Sequence, residues 1–189
     1  METKKLVLTS LNPGEYGDLV IDCIVVDNMQ EYAMALIEAQ KEMGNPPKQA
    51  QKTVSVTARK GIVGEEVDTR PRVSRDGKTY VIGETKGKVK VEGSMIVCNP
   101  DGEEYIVKPE AFLKKYKPTD VPGVFKPVGG PITVVEMPED IAFKAPWGED
   151  MYGVKGGVLN VSNLDDVYAI QNEAFAKTYT SAEKDRTKQ

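Results

Sequence analysis

Apolar and polar residues alternate at period two over most of this chain, and follow helical spacing over one long segment only. Residues 5–10 form a short β-prone run that ends at the turn signals Asn12-Pro13-Gly14. Residues 19–26 are almost continuously apolar, which predicts a strand covered on both faces. Asp27 is then placed as a helix N-cap with Gln30 for a capping box, and Met29, Ala33, Leu36, Ile37 and Met43 make one apolar stripe. Gly44 and Pro46-Pro47 stop that helix.

Further along, residues 53–58 alternate as a half-buried strand, and residues 64–75 read as a polar loop or irregular hairpin. Asp76-Gly77 is a turn pair leading into a strand at residues 79–82. In residues 86–91, Val89 and Val91 face inward while Lys86, Lys88 and Lys90 face out. Strands at residues 95–98 and 104–107 flank the tight turn Asn99-Pro100-Asp101-Gly102. Residues 109–116 begin with proline and read as one or two helical turns, with Phe112 and Tyr116 on one face.

A degenerate repeat organises the C-terminal two-thirds. Gly93, Tyr105, Glu110, Ala111, Phe112, Lys114 and Tyr116 each recur 63 positions later, as Gly156, Tyr168, Glu173, Ala174, Phe175, Lys177 and Tyr179. The expected organisation is an N-terminal strand–strand–helix segment (1–47), a first β-rich module (48–117), a Pro/Gly linker (118–130), a second module (131–180) and a polar tail (181–189). The expected fold class is α+β and predominantly β. It comprises small antiparallel sheets or half-barrels built from the repeat, with one N-terminal helix.

The first copy resembles a short domain of phage and prophage proteins known by its Pro-Gly-Asp-Tyr-Gly motif. The residues that carry the resemblance are Gly93, Asp101-Gly102-Glu103, Tyr105, Lys108-Pro109, Phe112 and Tyr116. The second copy keeps Gly156, Tyr168, Phe175 and Tyr179. The family's Gly-Asp-Tyr stands here as Gly93-Ser94-Met95 and Gly156-Gly157-Val158, so no role of the naming aspartate carries over. Pro13-Gly14-Glu15-Tyr16-Gly17 lacks the downstream aromatic framework and is a chance match. The resemblance implies a small phage-associated β-rich module and assigns no substrate.

Composition narrows the chemistry. Histidine is absent, which removes Ser-His-Asp and Cys-His nucleophiles, histidine metal ligands and the usual near-neutral acid–base group. Cys23 and Cys98 sit in apolar runs and read as small buried hydrophobes rather than a disulfide or metal pair. No apolar run reaches membrane-spanning length and the N-terminus is too polar for a signal peptide, so a cytoplasmic or virion location and no membrane are expected. The net charge is −4, yet residues 48–90 carry eleven basic against five acidic side chains.

Two groups are candidate ligand-binding residues. The repeated aromatics Tyr105, Tyr116, Tyr168 and Tyr179, with Phe112 and Phe175, are either a paired stacking surface or the packing of each short helix onto its hairpin. Lys86, Lys88 and Lys90, with Arg59, Lys60, Arg70, Arg72 and Arg75, are either a phosphate-binding strip or a solvated strand edge. The carboxylates Asp101, Glu103 and Glu104 are explained by turn chemistry, and Trp147 is left as loop packing or contact residue. No catalytic, metal or cofactor residue is assigned. The expected function is a non-enzymatic phage- or prophage-associated binding, accessory or virion protein with a protein partner or self-association. Capture of a small nucleotide-like anion and a histidine-free enzyme are the alternatives, and general nucleic-acid binding is disfavoured by the acidic balance.

Overall fold

The computed structural model describes residues 1–83, 86–146 and 148–182. Trp147 and residues 183–189 of the polar tail lie outside the described residues. The fold is α+β with strands predominating, arranged as small antiparallel sheets and one curled half-barrel.

The chain opens with an antiparallel hairpin of β1 (Thr3–Ser10) and β2 (Leu19–Val25). Leu6 and Leu8 on β1 and Ile21 and Cys23 on β2 point to one core, with Val73, Tyr80 and Val154. The apolar run of β2 is thus covered less fully than its composition predicts: Val20 is 55% exposed. Helix α1 (Met29–Glu42) is capped one residue later than expected. Asn28 Oδ1 accepts the Glu31 N–H at 3.0 Å, so Asn28, not Asp27, is the N-cap. Ala33 is fully buried at the centre of the stripe, which packs on Val135, Ile141, Phe143 and Leu159. Met43 lies beyond the last turn and is exposed.

Next come β3 (Lys48–Lys52) and β4 (Val56–Lys60). The single strand expected over residues 53–58 is therefore broken, because the chain passes there from one sheet to another. The stretch expected as a loop or irregular hairpin contains β5 (Glu66–Val67) and β6 (Arg72–Arg75), followed by β7 (Lys78–Ile82). Asp76 and Gly77, both at positive φ (55° and 75°), join β6 to β7 with the right-handed twist that tight hairpins need. The lysine–valine run supplies only β8 (Gly87–Lys88), and Val89 is buried whereas Val91 is exposed. The remaining elements are β9 (Met95–Cys98), β10 (Glu104–Val107), α2 (Pro109–Lys115), β11 (Tyr116–Pro118), β12 (Val124–Pro127), β13 (Ile132–Glu136), β14 (Ile141–Lys144), β15 (Asp150–Gly153), β16 (Val158–Asn160), β17 (Tyr168–Ile170), α3 (Asn172–Thr178) and β18 (Tyr179–Ser181).

Two five-stranded sheets have matching orders, β10-β9-β4-β12-β11 and β17-β16-β13-β3-β18. Their registers match as well. Ala58 pairs with Val97 where Val134 pairs with Asn160, and Pro118 pairs with Phe125 where Ser181 pairs with Ala50. Most core positions correspond: Val56, Ala58, Met95, Val107, Ala111, Phe112, Tyr116 and Phe125 in the first occupy the places of Ile132, Val134, Val158, Ile170, Ala174, Phe175, Tyr179 and Ala50 in the second, whereas Val97 and Tyr105 have no counterpart in the second core. Phe112 stacks on Tyr116 with centroids 5.4 Å apart, and Phe175 on Tyr179 at the same distance. Gly93 and Gly156 recur because each turns the chain at positive φ (83° and 98°).

Two elements cross the boundaries expected from sequence. Strand β12 lies inside the Pro/Gly stretch 118–130 and completes the first sheet; β3, from within 48–117, fills the equivalent place in the second. Inserted hairpins from both halves flank the N-terminal one, giving a six-stranded sheet of order β15-β14-β2-β1-β7-β6. The β14–β2 pairing is its one parallel contact among the described residues.

Close backbone packing at the turn into β16 yields a direct test. A Cβ on Gly157 would lie 2.7 Å from the Ile170 carbonyl oxygen and 3.3 Å from that of Val154. Both obstacles are main chain and cannot rotate away. Gly157→Ala is expected to destabilise the fold by about 2–3 kcal/mol, read as a lower urea midpoint. A midpoint unchanged from wild type would show that the turn yields.

Candidate functional site

Three of the four repeated tyrosines gather around one lysine that the sequence does not single out. Strand β3 pairs through its backbone with β18, Lys52 opposite Tyr179, while the Lys52 side chain reaches to the first sheet. There its ammonium donates to the hydroxyls of Tyr116 at 2.8 Å and Tyr105 at 3.2 Å. It also lies over both rings, 5.3 and 5.5 Å from the centroids. The two tyrosine hydroxyls are hydrogen-bonded to each other.

The positions follow from local structure. Tyr116 is the C-cap residue of α2, its N–H donating to the Phe112 carbonyl, and its ring is buried against Phe112. Tyr105 comes from β10, the edge strand. Burial first, and then the bond to Tyr116, pushes the Tyr105 phenol far above its ordinary range. Tyr179 is pushed up to about 12, chiefly by burial, then by Tyr168 and Tyr116 nearby. Tyr168 stands at the margin, 41% exposed, its hydroxyl accepting from Asn160 Nδ2 at 2.7 Å.

Glu103 enters the same site from the turn before β10. The Asn99 N–H donates to the Glu103 carbonyl, and the Glu103 N–H to Asp101 Oδ1, so the loop is closed on itself. Burial raises the Glu103 carboxyl to about 7, Asp101 adds to the rise, and Arg72 and Lys52 oppose it. Asn99 Oδ1 and Asp101 Oδ2 are buried beside it without a protein donor. Glu103 also borders a groove of about 520 Å³, shared with Arg70, Glu149, Tyr152 and Gln171. Its sequence signal was turn chemistry alone, which says nothing of burial.

The basic segment does not form the strip that its composition allows. Arg59 pairs with Glu65, Arg70 and Arg72 with Asp68, and Arg75 with Asp140 at 2.8 Å. Arg70 holds the Asp68 carboxyl down at about 2. Lys86, Lys88 and Lys90 are exposed along β8 and its flanks. The arginines are thus engaged in ion pairs within the chain, and the three lysines form an exposed edge. Cys23 and Cys98 are free thiols, both raised by burial, Cys23 to about 11. Among the described residues no group of three or more carboxylate or thiol side chains is placed to hold a metal.

The Glu103 carboxyl imposes a pH dependence of definite sign. Its folded value near 7 lies above the ordinary 4.5, so between those limits the folded chain holds a proton that the unfolded chain releases. Its contribution is full below pH 4.5 and is lost as pH rises through 7. Glu103→Gln is expected to match wild type at pH 4 and to exceed it by about 1–2 kcal/mol at pH 8, water at this half-buried site reducing the full linkage value. Urea titrations of both proteins at the two pH values measure it; an equal difference at both would refute the assignment.

Comparison with known protein families, characterised proteins and solved structures found no match to this chain.

Proposed function

We propose that this chain is a non-enzymatic binding or accessory protein of phage or prophage origin, built from two degenerate tandem copies of one module. The observation that carries the reading is the Lys52 clasp. A lysine on a strand of the second sheet is bonded to a tyrosine pair of the first, which suits a rigid two-module body more than a site that turns over substrate. The matching sheet orders and cores support a common module. The internal pairing of the arginines weighs against capture of a nucleotide-like anion by that segment. The natural setting of such a protein is the host cytoplasm or the virion, with a protein partner or a second copy.

A second reading is favoured by Glu103. A carboxyl near neutrality beside a lysine and a tyrosine is the minimum for histidine-free acid–base catalysis. One experiment separates the two. Wild type and Glu103→Gln are screened side by side for hydrolase and transferase turnover, and the untagged protein is weighed by native mass spectrometry. The binding reading expects no turnover in either protein and a discrete mass of the chain alone, of its oligomer or of a protein complex. Turnover that vanishes in Glu103→Gln would replace it with the enzymatic one.

A further inference from the structure

The two cores differ most in size at one position. In the first sheet Phe125 meets Phe112 edge-on, with ring centroids 4.9 Å apart, and Phe112 is 3% exposed. Register places Ala50 at the equivalent point of the second sheet: Phe125 lies opposite Val56 and Pro118, and Ala50 lies opposite Ile132 and Ser181. Phe175, the counterpart of Phe112, thus has no ring against its face from that strand and is only partly buried.

The missing side chain leaves a space. A cavity of about 200 Å³ lies at this place, and Ala50, Val134, Val158, Phe175 and Tyr179 form its apolar wall. Removal of a phenyl group from a packed core opens a void unless neighbours collapse into it, and apolar voids of about 150 Å³ take up benzene-sized ligands. Here the neighbours have not closed the gap, although Val134 is larger than its counterpart Ala58. The wall combines aromatic and aliphatic side chains, as does the core around Phe125 in the first sheet. The rest of the lining is largely polar, with Gln40, Asn45, Lys48, Glu136 and Ser181.

We infer that this slot is a binding site for a small molecule carrying one six-membered aromatic ring with a polar substituent. The ring takes the place that Phe125 fills in the first sheet, edge-on to Phe175, and the substituent lies toward the polar lining at Asn45, Lys48 and Ser181. The slot shares Tyr179 with the cluster around Lys52 but does not rest on the function proposed above. It gives the second sheet a ligand-dependent core where the first has a covalent one.

Phenol is the probe. It is titrated into the full chain while the thermal midpoint is followed, and nuclear Overhauser effects are recorded from its ring protons. At ten times its dissociation constant a ligand specific for the folded state is expected to raise the midpoint by about 3–5 °C. Contacts to Phe175 and to the methyls of Val158 are expected. Ala50→Phe restores the missing ring and is expected to abolish both signals. No midpoint shift and no Overhauser effect in wild type would overturn the proposal, as would a response that Ala50→Phe leaves intact. The Overhauser contacts in wild type decide the matter if Ala50→Phe does not fold.

Discussion

Phe112→Ala is expected to destabilise the protein by about 3–5 kcal/mol, whereas the corresponding Phe175→Ala is expected to cost about 2 kcal/mol or less. Both rings begin the same way, in a short helix and stacked on a tyrosine four residues on. Their surroundings differ. Phe112 is enclosed by Tyr116 and Phe125 and leaves a sealed void when truncated. Phe175 already borders an open cavity, so its truncation enlarges a space that water reaches. Urea denaturation of the two variants and wild type, at constant m, measures the difference. Equal losses would mean that the second core is packed as well as the first.

Lys52→Met is expected to lower stability by about 2–3 kcal/mol. The substitution keeps the length and apolar stem of the side chain and removes only the ammonium. Two charge-assisted hydrogen bonds and two cation–ring contacts disappear, and the tyrosine hydroxyls must satisfy each other or water. The loss should depend on Tyr105. In a double-mutant cycle with Tyr105→Phe, a coupling of about 1–2 kcal/mol is expected. A coupling near zero would show that Lys52 is held by solvent and not by the pair.

Much of this fold is legible in local sequence, and the reasons lie in particular residues. Helix α1 is set by its apolar stripe and by Gly44; the choice between neighbouring caps fails, and so does Met43, which lies past the last turn. Asp27 and Asn28 are both good N-caps, and which oxygen meets the Glu31 N–H is decided by the approach of the chain from β2. The turn at Asp76-Gly77 and the 63-residue spacing of the two short helices are likewise local. Strand β3 is not legible in this way. Its partners, β13 and β18, lie far along the chain, and no pattern within residues 48–52 names them. Nor does proline content exclude β12 from a sheet: Pro127 ends it, and the N–H it lacks is missing at the strand's margin.

The site divides along the same line. Tyr105, Tyr116 and Tyr179 were readable because the repeat retains them, and the first two meet. Lys52 has no counterpart signal, since its role arises only when the two sheets come together. For the arginines, a count of charges is silent on pairing: Arg59, Arg70 and Arg72 meet carboxylates a few residues away, whereas Asp140, the partner of Arg75, belongs to the other half of the chain.

The strand exchange also has a bearing on how the chain reaches its native state. Strand β3 leaves the ribosome before any part of the first sheet, yet its two neighbours in the second sheet are among the later strands. It therefore waits with both edges unpaired until β13 is made, and with one edge open until β18 near the end of synthesis, and the closing contacts carry high contact order. Slow refolding is the natural outcome, with the second sheet completed last. Division of the chain at residue 130 would strand β3 on the wrong fragment, so the two halves are bound to each other by connectivity as well as by chemistry.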